Sequence, residues 1–457
     1  MDSDLFSRVR QDAAAKEVKF IDLKLLDLTG RLHHVSLPLE RFLPEIMEEG
    51  IGFDGSSYGF LKVENSDMVV IPDLRTAHLD PFRDQPTLSM LAEVRLADAQ
   101  RTRYPQDGRA IAAAAEAALR SLGIAERSLW APEYEFYVFE SAEYQSDIHD
   151  SRFLMRGPER FFQNAYHACN PHDEYDDFRD EACAVMRDFG MNVRYHHHEG
   201  GAMGQQEIEA WFADLPATAD HAVLTKYILF NLARRRGLRV TFMPKPLYDN
   251  AGSGLHLHQF LVQGGHNVFN DPGGFSGLSE IALHYIGGIL RHSPALCALT
   301  NPSTNSYKRL VPGFEAPTTR TFGSSNRGAS IRIPSYVADP EYRRIEYRPT
   351  DFTSNPYLCM AAILMAGIDG ILERIDPAQE GHWPEESSAS DRPAFDQFLP
   401  RSLDDALDAL AKDHGFLMRA GVFPEALIQH WLEIKWREIH AINRRPHPYE
   451  FTMYFDL

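Results

Sequence analysis

Apolar and polar residues alternate along 17–37 (EVKFIDLKLLDLTGRLHHVSL) on either side of Thr29-Gly30, which predicts a β-hairpin with Gly30 supplying the turn. A helical pattern follows over 39–49, then strands over 67–72 and 87–95, so the first hundred residues read as a small α+β unit. Turn residues at Tyr104-Pro105-Gln106-Asp107-Gly108 place a boundary there, giving domains at 1–104 and 105–457. Beyond it the pattern predicts helices over 109–122, 177–189, 217–236 and 278–291, with strands over 130–139, 191–199, 239–242 and 344–348. The stretch 143–175 is polar and irregular and reads as a surface excursion. From 355 onward the chain is mostly helical, with a Pro- and Ser-containing loop at 380–396 and no internal repeat.

The strands carry unexpected charge. Side chains two apart share a face of a strand, so Glu133 and Glu135 lie together, as do His256 and His258, and Arg344, Glu346 and Arg348. Ionised carboxylates are almost never fully buried unless paired or bound to a metal. Glycines 200, 201 and 204 make a return turn that could set Glu199 and Glu207 facing each other on adjacent strands. The stretch Tyr195-His196-His197-His198-Glu199 is, on its own, either a metal site or a polar loop. Asp54, Ser56 and Ser57 in a Gly-punctuated loop read equally as an ordinary turn. Pro312 and Gly313 on one side and Pro317 on the other bracket Glu315, as in a loop that moves as a unit. Arg320, Arg327, Arg332, Arg343, Arg344 and Arg348 crowd the next thirty residues, which suits a phosphate or carboxylate site or a set of surface ion pairs.

Composition decides between these. With 457 residues, 44% of them hydrophobic, the chain can bury a large core in more than one domain. A formal charge of −19 argues against nucleic acid as a partner and makes the local arginine cluster informative. The four cysteines form no C-x-x-C pair, no run of 18 apolar residues occurs, and the first residues show no export signal, so a cytoplasmic protein off the membrane is expected. Carboxylate-rich clusters without thiolates select Mg²⁺ or Mn²⁺, and such ions beside several arginines equip a protein for phosphoryl transfer. No G-x-x-x-x-G-K loop is present.

Eight motifs then carry a resemblance: D-G-S-S at 54–57, P-E-x-E-F at 132–136, H-H-H-E at 196–199 with G-Q-x-E at 204–207, G-S-G-x-H-x-H at 252–258, N-P-x-x-N-S-Y-K-R-L at 301–310, P-G-x-E-A-P at 312–317, N-R-x-A-S-I-R-I-P at 326–334 and R-R-I-E-x-R at 343–348. In this order they resemble the type I glutamine synthetases from about Phe20 to Phe451. The resemblance implies an α+β fold: a small β-grasp domain, then a large catalytic domain with a curved antiparallel sheet flanked by helices. It further implies two stacked hexameric rings, a homododecamer, with active sites shared between neighbours. Glutamate, ammonium and ATP would be the substrates, with two or three Mg²⁺ or Mn²⁺ per subunit.

Residue by residue, the resemblance implies one metal at Glu135, Glu199 and Glu207 and another at Glu133, His256 and Glu346. Arg309, Arg348, Gly252 and Gln205 match glutamate contacts. His258, Arg327, Arg332 and Arg344 match those to ATP and the transferred phosphate. Asp54, Ser57 and Tyr166, with Glu199 and Glu315, match the ammonium pocket, Tyr166 having been placed by counting back from Asp177. The triplet His196 to His198 is left in a supporting role. The chain departs from the family pattern at Arg194 (where an acid is common), Phe260, Glu341 and Ala251, and it lacks the tyrosine of an adenylylation loop before Leu399. Rival readings are a ligase for a larger amine such as an alkylamine, ethanolamine or polyamine, and an inactive structural homologue.

Overall fold

The computed structural model describes residues 3–158, 165–202, 204–382, 384 and 397–457. After helix α1 (Ser3–Ala15), the hairpin expected around Gly30 forms from β1 (Phe20–Leu26) and β2 (Leu32–Pro38). Its turn packs so tightly that a Cβ on Gly30, which has φ +89°, would stand 3.2 Å from the Asn355 backbone. The helix expected over 39–49 is not continuous. Pro44 interrupts it, leaving a 3₁₀ turn at Leu39–Arg41 and a short α2 (Ile46–Glu49).

Strands β3 (Ile51–Asp54), β4 (Asp67–Pro72), β5 (His78–Leu79) and β6 (Thr87–Leu96) complete a six-stranded sheet in the order β2-β1-β6-β4-β3, with β5 on β6. Here β1 and β6 run parallel at the centre, the arrangement of a β-grasp unit. Its apolar face has a core of its own around Phe6, Leu23, Phe42, Met90 and Val94.

The larger part is built on a ten-stranded sheet. Its strands are β7 (Arg127–Phe139), β10 (Val193–His198), β11 (Gln205–Ala210), β12 (Ala213–Asp214), β13 (Arg239–Thr241), β14 (Leu255–Gln263), β15 (His266–Asn267), β16 (Thr319–Ser324), β17 (Ala329–Ile333) and β18 (Ile345–Tyr347). The main path runs β10-β11-β7-β14-β18-β17-β16, antiparallel except where β16 lies parallel to β17. The polar stretch after 140 was expected to be irregular; instead β8 (Ser141–Ser146) and β9 (Ser151–Arg156) form a separate two-stranded hairpin of exposed residues.

One face of the large sheet is covered by α3 (Gly108–Ser121), α4 (Asp176–Asp188), α5 (Leu215–Arg235), α6 (Glu280–Thr300) and α8 (Pro356–Leu372). The short α7 (Ser306–Arg309), α9 (Leu403–Lys412), α10 (Gly415–Met418), α11 (Glu425–Asn443) and α12 (Pro448–Tyr454) follow in the chain. Most of the loop expected at 380–396 lies outside the described residues. No helix among the described residues is long and apolar enough to cross a membrane.

Alternation along each strand decides which side chains meet. On β7, Trp130, Tyr134, Phe136 and Val138 enter the helix-packed core, each large one stabilising the fold by ~1.5–3 kcal/mol. The intervening Glu133 and Glu135 must then emerge on the opposite face. The same phase puts Ile208 in the core and Gln205, Glu207 and Glu209 across from it, and Ile345 and Tyr347 in the core with Glu346 across. The two parts meet through polar contacts: Arg109 bridges Asp73 (3.0 Å) and Asp220 (2.6 Å), and Tyr227 donates to Asp80 (2.7 Å).

Candidate active site

Register brings the acids together. Glu209 stands opposite Glu133, and Glu207 opposite Glu135, on β11 and β7; His256 on β14 pairs with Glu133, and His258 with Glu346 on β18. Glu133, Glu135, Glu207, Glu209 and Glu346 are all buried. Glu199, just beyond β10, pairs through its backbone with Gln205 (2.9 Å), so it lies diagonal to Glu207 rather than directly across. Between the two carboxylates stands His197, with Nδ1 3.5 Å from Glu199 and Nε2 3.5 Å from Glu207.

The electrostatics follow from this crowding. Burial, with Glu135, Glu133 and Glu315 adding to it, pushes Glu199 up to about 8. Burial and the charges of Glu133, Glu199 and Glu135 drive Glu207 well above the usual carboxylate range. Burial acts upward on Glu133 too, but His258 and His256 outweigh it and hold this acid well below its ordinary value. For Glu346 burial is overcome by Arg348, His258 and Arg332, which bring it down to about 2.

Histidine geometry is fixed by the arginines. Arg309 Nη2 can only donate, so His256 Nε2 accepts its bond (3.2 Å) and Nδ1 carries the proton towards Glu133 Oε2 (2.8 Å). That Nδ1 is also 3.6 Å from Glu135 and 3.8 Å from Glu346. His258 likewise accepts from Arg344 (3.3 Å) and presents Nε2 to Glu133 Oε1 (2.7 Å). Among the described residues, three groups of side chains on this face are close enough to share a cation: Glu133 with His258 and Glu346, His197 with Glu199 and Glu207, and Glu133 with Glu207 and Glu209; a fourth, Asp176 with Asp180 and His196, lies on the reverse face. Carboxylate oxygens with an imidazole nitrogen fit a hard divalent ion. Holding such an ion through Nδ1 of His256 or Nε2 of His258 would require that nitrogen to be free of its proton.

Around the acids lie the other expected residues. Gln205 donates to the Gly252 carbonyl (3.0 Å) and accepts from Gly201 N–H (2.7 Å). The loop before β14 needs its glycines: a Cβ on Gly254 would sit 2.4 Å from Arg309 Nη2 and 2.8 Å from His256 Nε2, and one on Gly252 2.5 Å from the Pro244 carbonyl. Gly254 N–H caps Glu135 at 2.7 Å. Arg309 is buried and directs both terminal nitrogens at the carbonyls of 348–350 and at His256, so it braces the floor of the site. Arg332 (2.5 Å) and Arg348 both hold Glu346. Arg348 also reaches the carbonyls of Arg327 (3.1 Å) and Glu315 (3.2 Å), tying together the two exposed loops that carry them. Tyr166 stacks on His167 (3.9 Å) and meets His197 edge-on (5.2 Å), at the Glu199 end of the cluster.

Asp54 and Ser57 are placed elsewhere. Both are exposed on the small domain, and the Asp54 carboxylate is engaged within its own loop by Ser56 (2.7 Å) and Ser57 (2.8 Å), which hold it below the usual carboxylate range. His196 turns to the reverse face, accepting from Arg179 (3.1 Å) and meeting Asp180 (2.9 Å). Glu209, absent from the sequence reading, was within its reach, because it lies two residues from the expected ligand Glu207 on β11 and so shares its face; His197, expected only in a supporting role, stands between two of the acids.

Comparison with known proteins fits this geometry. The family model "Glutamine synthetase, beta-Grasp domain" matches residues 17–97, and "Glutamine synthetase, catalytic domain" matches 105–454. A glutamine synthetase of Frankia alni is 41% identical over 461 residues, covering 97% of each chain. A protein of Cupriavidus pinatubonensis named 3-hydroxylaminophenol mutase is 40% identical over 462 residues, covering 96% of this chain and 97% of its own. The solved structure of Plasmodium falciparum glutamine synthetase superposes with a TM-score of 0.88 at 26% identity, covering 99% of this chain and 98% of that one. Two family models spanning most of the sequence, with a relative 41% identical over 97% of each chain, show that the chain belongs to the glutamine synthetase family.

Proposed function

We propose that the protein is a glutamate–ammonia ligase, joining ammonia to the side-chain carboxyl of L-glutamate with ATP and releasing L-glutamine, ADP and phosphate. The observation that carries this reading is the single face on which Glu133, Glu135, Glu199, Glu207, His256 and Glu346 meet the buried arginines 332, 344 and 348. Two or three divalent ions held by those acids would neutralise phosphate charge and polarise the reacting phosphoryl group.

The chain's own residues supply the rest. Arg332 and Arg344 face the triphosphate, and Arg348 orients the glutamate carboxylate. A glutamate side-chain oxygen attacks the γ-phosphorus, the bond to ADP breaks, and a γ-glutamyl phosphate results. Ammonium gives a proton to Asp54 of a neighbouring copy, the ammonia so formed attacks the acyl carbon, and phosphate leaves with the proton that the new amide nitrogen sheds. Tyr166, Glu199 and Glu315 line the amine end, where negative charge favours NH₄⁺. The loop at 312–317 excludes water, which would otherwise hydrolyse the acyl phosphate.

Asp54 and Ser57 serve the site of a neighbouring copy, which requires a homo-oligomer; a dodecamer of two rings is the assembly we propose. Supporting this, α12 and the residues after it expose Tyr449, Phe451, Met453, Tyr454, Phe455 and Leu457, an apolar set that calls for a partner surface. Domain limits at 1–104 and 105–457, and a cytoplasmic location, belong to the same proposal.

A relative of nearly equal similarity is named for a different reaction, so similarity alone does not fix the substrate, and a ligase for a larger amine is kept as the second reading. Phosphate release from ATP with glutamate and ammonium, alkylamines, ethanolamine or polyamines decides between them. Turnover with ammonium is expected; activity with organic amines alone supports the second reading, and no phosphate release at all leaves an inactive homologue.

A further inference from the structure

One arginine is placed by an irregularity. Val193 pairs with Ala210 and Tyr195 with Glu209, so β10 carries one residue more than its partner, and that residue is Arg194. A bulge re-aims the side chain it inserts. Here it turns Arg194 towards the carboxylate face, where Nη1 meets Glu209 Oε2 at 2.7 Å. The guanidinium lies 4.7 Å from the Tyr195 ring and 5.3 Å from that of Trp211, which hold its plane.

Its surroundings are cationic and aromatic. Arg344 donates weakly to the Tyr336 hydroxyl (3.4 Å), Arg194 interacts with the same side chain, and Arg332 lies over the Tyr336 ring at 5.5 Å. Glu209 answers Arg194 and Glu346 answers Arg332, but among the described residues Arg344 has no carboxylate within ion-pair distance. Arg194 and Arg344 are close enough to repel each other. Three guanidinium groups gather around the Tyr336 side chain and only two of them are answered by an acid, an arrangement that attracts an anion of several charges.

We infer that Arg194, positioned by Glu209, is an additional polyphosphate-binding residue of this protein, working with Arg344 on the nucleoside triphosphate. The inference rests on the proposed use of ATP but not on the identity of the amine. Because Glu209 also lies beside Glu133 and Glu207, the pair links the nucleotide end of the site to the acid cluster.

The test is equilibrium binding of a non-hydrolysable ATP analogue and of inorganic tripolyphosphate to the full-length protein with Mg²⁺, without glutamate or amine. Arg194→Ala is expected to weaken both by about tenfold or more, the loss of a charge-assisted contact. Arg194→Lys should recover part of it. In turnover KM for ATP should rise with KM for glutamate unchanged, and Glu209→Gln should show the same pattern more weakly. Unchanged affinity in Arg194→Ala, or a loss confined to the ATP analogue with tripolyphosphate unaffected, overturns the inference. Wild-type protein that binds the analogue yet ligates no amine would defeat the proposed function and leave this inference standing; wild-type protein that binds neither probe would defeat both. Melting temperatures within a degree or two of wild type exclude misfolding as the cause.

Discussion

Arg348 donates from Nη2 to the main-chain carbonyl of Glu315 at 3.2 Å, so a residue on the floor of the site holds the loop that would cover it. Its Nε does the same for the Arg327 loop at 3.1 Å. Lysine has one head group and cannot make both contacts while also pairing with Glu346. Arg348→Lys should therefore raise KM for glutamate about tenfold and increase phosphate release without amide formation. Parallel assay of phosphate and glutamine reads this ratio, and a ratio unchanged from wild type would sink the loop-tethering role.

Glu207 is the most crowded acid of the cluster. Glu207→Gln relieves the burial of an acid among Glu133, Glu199 and Glu135, so it should leave the melting temperature of chelated protein unchanged or higher. It should abolish most of the rise in melting temperature that Mn²⁺ or Mg²⁺ gives the wild type. A metal-induced rise that survives the substitution counts against Glu207 as a ligand.

Gly254 leaves room for Arg309 and His256. Gly254→Ala places a methyl group 2.4 Å from the arginine, and overpacking of this kind costs about 1–3 kcal/mol. A lower melting temperature, with metal-dependent turnover reduced at least tenfold, is expected from thermal unfolding and steady-state assays. Wild-type values in both would show that the loop yields freely.

His292 on α6 lies between Asp369 (3.0 Å) and Asp413 (2.7 Å), with Phe416 stacked on its ring and Arg419 on the far side of Asp369. Burial alone would lower its pKa, but hydrogen bonds and charge from the two aspartates win and raise it above 6.5. A raised folded-state value means the charged pair stabilises fully below the unfolded pKa of about 6.5, and the contribution fades as pH rises through the folded value. Urea midpoints should thus fall between pH 6 and pH 9 by more in wild type than in Asp413→Asn. Equal slopes would remove His292 as the source.

Much of this was legible in the residues. Strand β4 falls where the alternation put it, and the paired acids of β7 emerge as period two requires because Trp130, Tyr134 and Phe136 commit the other face to the core. What was hidden depended on pairing. The bulge at Arg194 exists only relative to β11, and no property of 191–199 alone announces it. The β8–β9 hairpin escaped because both of its faces are exposed, so no apolar alternation marks it. The helix expected over 39–49 was overruled by Pro44, a signal present but underweighted. Asp54 could be tied to the site by resemblance only, since its carboxylate is engaged by Ser56, Ser66 and Ser57 of the small domain.

The face-to-face pairing of Glu133 with Glu209 and of Glu135 with Glu207 also bears on the life of the protein outside the reaction. Like charges in opposed cross-strand positions weaken a sheet, and here they do so between two of its inner strands. A cation that binds only the folded chain offsets this by mass action, so the unfolded fraction open to proteolysis would follow the free-cation concentration. Cells short of the ion would then lose the protein as well as its activity, with no regulator needed to remove it.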